Sequence, residues 1–70
     1  MHIYYTIRVR GTVDCRWEAR LGGMHVAVEA VNDESYESVL TGELPDQAAL
    51  NGVLSALYGL GYSLLSVQSG

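Results

Sequence analysis

The sequence predicts a single small α+β domain, residues 1–70, with the element order β-(short α)-β-β-α-β. Three observations carry this. Residues 2–10 and 24–31 alternate apolar and polar side chains with a period of two. A tight Asn32-Asp33-Glu34-Ser35 cluster separates the second of these runs from a third strand-like segment. Residues after Pro45-Asp46 switch to the 3.6-residue rhythm of a helix, and a short apolar run follows. This is the split β-α-β order of ferredoxin-like domains, in which a four-stranded, mainly antiparallel sheet carries the long helix on one face.

In the first strand, Ile3, Tyr5, Ile7 and Val9 share one face; Tyr4, Thr6, Arg8 and Arg10 share the other. Gly11 ends it. Residues 14–21 read as a short α-helix with Asp14 as N-cap and Trp17 and Leu21 on one stripe. Gly22-Gly23 stops it. In residues 24–31, Met24, Val26, Val28 and Ala30 oppose His25, Ala27, Glu29 and Val31. Residues 36–44 complete a hairpin, with Gly42 marking a bulge or a close backbone approach. Pro45 and Asp46 open the long helix. Leu50, Val53, Leu54, Leu57 and Leu60 form its apolar stripe, Gly61 its left-handed cap, and residues 62–68 the last strand.

The first crossover is short. A nine-residue strand spans about 30 Å, whereas an eight-residue α-helix returns about 12 Å. An alternative arrangement is therefore a three-strand meander plus helix and fourth strand. Either way one sheet face carries the long helix and the other is poorly covered, with Tyr4, Ala27 and Leu64 on it.

Composition narrows the function. At 70 residues a core supplies roughly 3–5 kcal/mol, and such domains commonly add disulfides, metal or partner subunits. Cys15 is the single cysteine, so no internal disulfide forms, and a lone thiol fits a reducing, cytoplasmic location. His2 and His25 are the only histidines and lie in no ligand-spaced pair, so neither a metal site nor a cofactor is expected. The net charge is −4, which argues against nucleic acid, because cations supply most of that affinity. The charge is also uneven. Residues 1–20 hold Arg8, Arg10, Arg16 and Arg20 against Asp14 and Glu18, whereas no charged side chain follows Asp46. Residues 48–67 reach the length of a bilayer span, but Asn51, three serines, Gly52 and the Gly59-x-Gly61 break argue against one.

Several landmarks together carry a family resemblance. They are Tyr5-Thr6-Ile7-Arg8-Val9-Arg10-Gly11, Asp14-Cys15-Arg16-Trp17, Gly22-Gly23, Leu44 through Leu50, Gly52-Val53-Leu54, Leu60-Gly61 and Leu64 to Val67. In this order the chain resembles a family of short, uncharacterised bacterial proteins and domains. The resemblance implies a shared fold and brings no activity, cofactor or catalytic residue. The chain departs from the family pattern at Ala56, Tyr58 and Gly59, where arginines and an aspartate are usual, and at Arg20-Leu21, where a second aromatic is usual. The back of the helix is left with less charge.

Two classes of function follow. The favoured one is a non-enzymatic oligomerising or binding module, a dimer or larger ring, with Tyr4, Trp17, Ala56 and Tyr58 as candidate interface residues; a small-molecule or protein ligand stays open. The alternative is an acylphosphatase-like acyl- or phosphoryl-hydrolase at the Arg10–Arg16 loop, which leaves a strand and opens a helix, a place where backbone N–H groups and an arginine bind anions. Arg10, Cys15 and Arg16 are the candidate ligand-binding residues. No asparagine lies on a predicted strand to position water, and Cys15 lacks a partner base in the sequence pattern. The competing structural expectation is a capped helix whose arginines pair with Glu18, Glu29 or Glu37.

Overall fold

The computed structural model describes residues 3–70; the start of the first predicted strand, His2, lies outside them. The strands are β1 (Ile3–Arg10), β2 (His25–Ala30), β3 (Tyr36–Leu44) and β4 (Ser63–Ser69). A helix, α1 (Gln47–Gly59), and a short 3₁₀-helix, Cys15–Leu21, form the crossovers. The sheet order is β2-β3-β1-β4 and every neighbouring pair is antiparallel. β1 and β2 thus run the same way with β3 between them, and β3 and β4 the same way with β1 between them. The three-strand meander does not form, because β3 and not β2 neighbours β1.

The alternation places the core. Tyr5, Ile7 and Val9 of β1 are buried together with Leu40 and Leu44 of β3, Met24 just before β2 and Val26 within it. Val53 and Leu57 of α1 close over them, and Leu50 and Leu54 are partly buried beside these two. Each fully buried aliphatic side chain contributes about 1.5–3 kcal/mol. Asp46 caps α1 by accepting from the Ala49 N–H at 2.8 Å. The helix ends in a Schellman turn. The Tyr62 N–H donates to the Leu57 carbonyl, the Gly61 N–H donates to that of Tyr58, and Gly61 takes φ +91°. Leu60, predicted on the buried stripe, falls at this cap instead and is exposed.

The first crossover corrects an expectation. Residues Cys15–Leu21 form a 3₁₀-helix, not an α-helix. Its rise of about 2.0 Å per residue carries the chain farther per residue than an α-helix does, which suits a connection with few residues to spend. Leu21 is buried and Trp17 packs partly buried against the core. Gly22 ends it at φ +70°, and a Cβ there would stand 2.9 Å from Leu44. Gly42 marks a close approach: a Cβ would lie 3.3 Å from the Met24 backbone. A register shift lies elsewhere, in β4, where Leu65 is the extra residue between Ser66 opposite Arg8 and Leu64 opposite Val9. That register also puts Leu64 on the helix side of the sheet, not on the open face.

The open face is largely polar. Arg8 leans from β1 across β3, placing Nη1 3.1 Å from Glu29 and 3.4 Å from Glu37. Val39, buried on this face, lies in register between Arg8 and Ala27. The hydrogen bond to Glu29, more than any other influence, holds the Arg8 guanidinium above its ordinary pKa. No helix among the described residues is long and apolar enough to cross a membrane.

Candidate functional site

The loop that leaves β1 is built from its backbone outward. Gly11 turns at φ +102° and its N–H donates to the Tyr36 carbonyl at 2.8 Å. Ser38 lies beneath, fully buried on β3. Its Oγ accepts from the Val13 N–H at 2.8 Å and donates to the Gly11 carbonyl at 2.8 Å. From the far side, the Tyr62 hydroxyl donates to the Thr12 carbonyl at 2.9 Å. Asp14 then caps the 3₁₀-helix: its Oδ1 accepts from the Arg16 N–H and its carbonyl from the Trp17 N–H, each at 3.0 Å. An anion cradle needs N–H groups that are free and convergent. In this loop those of Gly11, Val13, Arg16 and Trp17 already have internal acceptors.

The side chains do not converge either. Arg10 lies on the open face opposite Glu37 and Ser63, and takes part in none of the ion pairs among the described residues. Arg16 lies on the crossover, on the helix side, with Nε 3.0 Å from Asp14. Cys15 is an exposed free thiol. His25 Nδ1 stands 3.8 Å from Glu18. Among the described residues no three His, Cys, Asp or Glu side chains gather in a way that holds a metal ion.

Two solvent-open hollows adjoin the candidate residues. One, of about 300 Å³, lies between the crossover and α1 and is lined by Arg20, Ala56, Gly59 and Leu60. The other, of about 280 Å³, lies by the hairpin turn and is lined by Arg10, Val31, Asn32, Ser35, Tyr36 and Glu37. Each contains one arginine, and Arg20 is already engaged, with its guanidinium 5.5 Å from the centre of the Trp17 ring; Arg16 sits 5.8 Å from the same ring.

The apolar surface is more distinctive. Tyr58 is 84 % exposed, and Leu60, Leu64 and Leu65 are exposed a few residues beyond it. Tyr4 is exposed on the open face, whereas Trp17 and Ala56 are partly buried against the core. The four predicted interface residues are therefore spread over the open face, the crossover and the helix rather than gathered in one patch.

Two structural partners escaped the reading of the sequence, Ser38 and Tyr62, and a third, Glu18, was expected beside an arginine whereas its Oε2 accepts from the Val26 N–H at 3.0 Å. The signal for Ser38 was present. It shares the parity of Leu40 and Leu44 in a strand, so a hydroxyl falls at a core position and requires partners.

A family model described as a domain of unknown function (DUF8691) matches residues 4–68. No curated protein and no solved structure matches the chain.

Proposed function

The chain belongs to the DUF8691 family of domains of unknown function, and from that premise we propose that it is a non-enzymatic module that works by assembling with copies of itself. One observation carries the reading. From Gln47 onward the chain holds no charged side chain, yet this stretch presents Tyr58, Leu60, Leu64 and Leu65 to solvent. A helix back facing water ordinarily carries charge, and an exposed tyrosine offers apolar area with a polar tip, as interfaces favour. Self-association also supplies stability that a core of this size lacks. The sheet order and the two crossovers support a ferredoxin-like arrangement, and the lone thiol fits a reducing, cytoplasmic setting. Against a hydrolase at the Arg10–Arg16 loop stand the internal acceptors already used by its amides and the separation of Arg10 from Arg16 by the sheet.

Native mass spectrometry and sedimentation at tens of micromolar test this. A dimer or larger ring is expected, weakened when Tyr58→Arg is combined with Tyr4→Arg. A thermally stable monomer of 7.6 kDa overturns the proposal. So does acyl phosphate hydrolysis by the parent that Arg16→Ala abolishes.

A further inference from the structure

The two edges of the sheet are treated differently, and the difference points to where a second copy sits; the inference rests on the self-association reading. On the β2 edge, the Val26 N–H points away from β3 and is capped by the Glu18 carboxylate at 3.0 Å. Glu29 lies on the same strand, bound to Arg8. Two copies meeting at β2 have to displace that cap and bring carboxylates together. Capping an edge and charging it are two ways in which proteins keep sheets from pairing.

The β4 edge has neither of these two protections; a bulge at Leu65 interrupts it and leaves residues 66–69 as its regular stretch. Ser63–Ser69 contains no charge and no proline, and among the described residues no side chain accepts from a β4 amide. The adjoining flank of α1 is equally uncharged. Ala56, Gly59 and Leu60 border Arg20, so that side of α1 faces the first crossover. A helix turns about 100° per residue, which puts Tyr58 roughly 160° around from Ala56, on the side toward β4. The chain carries a net charge of −4, so copies repel in general. The β4 flank, where α1 and β4 bear no charge, is the one where that repulsion is least.

We infer that β4 of one copy pairs antiparallel with β4 of a second copy across a two-fold axis, joining the two sheets into one, with both Tyr58 side chains over the joint. The flank is at most about 23 Å long and the domain 18 Å thick, so each copy hides no more than about 400 Å², about 800 Å² in all, the size of a weak, concentration-dependent contact rather than of a standard stable interface. Backbone hydrogen bonds along the edge then set the register. A two-fold axis perpendicular to the sheet keeps each side chain on its own face. Every residue therefore pairs with one of its own parity, and one residue of β4 faces its own copy. The bulge at Leu65 breaks the regular edge, which confines that residue to Ser66, Val67 or Gln68.

Single cysteines at these three positions, each in a Cys15→Ser background with folding checked by circular dichroism, test the arrangement. Across an antiparallel pair, self-facing residues stand about 4.5–5.5 Å apart between Cα atoms, within disulfide reach. Residues one step along the same face stand about 7–8 Å apart. Under mild oxidation one of Ser66→Cys, Val67→Cys and Gln68→Cys is expected to form covalent dimer at least ten-fold faster than Tyr4→Cys on the open face. Leu65→Lys, at an exposed position, is expected to weaken association at least ten-fold without unfolding the domain. Assembly by native mass spectrometry with no preferred β4 position, or with Tyr4→Cys fastest, overturns the β4 edge and leaves self-association standing. A monomer at all concentrations overturns both.

Discussion

The two crossovers solve the same geometric problem by different means. Each joins strands of one direction across a single intervening strand. The second uses thirteen residues of α-helix, laid down with Val53 and Leu57 buried and both ends capped. The first has seven residues of 3₁₀-helix, too few to bury a full apolar stripe. Its position depends on polar ties at every step: Ser38 under Val13 and Gly11, Tyr62 on Thr12, Asp14 at the cap and Glu18 on Val26. The shorter crossover buries only Val13 and Leu21 fully and adds hydrogen bonds to that anchorage, and those bonds also use up the groups that a ligand would need. The same shortness leaves Val28 and Tyr36, on the helix side of the hairpin, exposed.

Substitutions can break this contrast. The largest effect is expected from Leu57→Ala, which empties a site 2 % exposed. Such a change costs about 2–5 kcal/mol, most or all of the roughly 3–5 kcal/mol that a core of this size supplies, so chemical denaturation should show global loss of structure at low denaturant. Ser38→Ala comes next. It leaves the Val13 N–H and Gly11 carbonyl without their partner, at about 1–3 kcal/mol. Hydrogen exchange should show amides of residues 11–21 losing protection before those of α1; equal loss in both would show that the crossovers are not independently held. Tyr62→Phe is the smallest, about 0.5 kcal/mol, because its hydroxyl bond is exposed. Faster exchange confined to the loop around Thr12, with an almost unchanged midpoint, would separate a local tie from a packing role.

Legibility in the sequence divides along the same line. The strands and α1 were readable to within one or two residues because burial imposes a period, and Asp46 and Gly61 bracket the helix by cap chemistry. The type of the first helix was not readable. Asp14 and Gly22 mark its ends equally well for either helix, and the choice depends on the distance the chain must cover, which is a property of the sheet. The Arg10–Arg16 loop had the spacing of a ligand site, but spacing says nothing of which face each side chain takes. Arg10 follows the β1 alternation onto the open face, while Arg16 turns back onto Asp14. The arginine pairing was half visible: Arg8 does meet Glu29 and Glu37, but Glu18 serves His25 and a backbone amide instead.

The pairing of β1 with β4 has a consequence for how the chain acquires its shape. Tyr5 faces Ser69 across the ladder, so β1, which precedes the other three strands in the chain, is the last to gain both its neighbours. A partly made chain can close the β2–β3 hairpin and lay β1 against β3, but it holds one flank of β1 unsatisfied until residue 69 is present. Closing contacts between residues so far apart in sequence carries an entropic cost, which slows folding relative to a domain built from local contacts alone. Until that final strand arrives, the exposed flank of β1, rather than that of β4, is the nascent chain's point of vulnerability to mispairing with a neighbour.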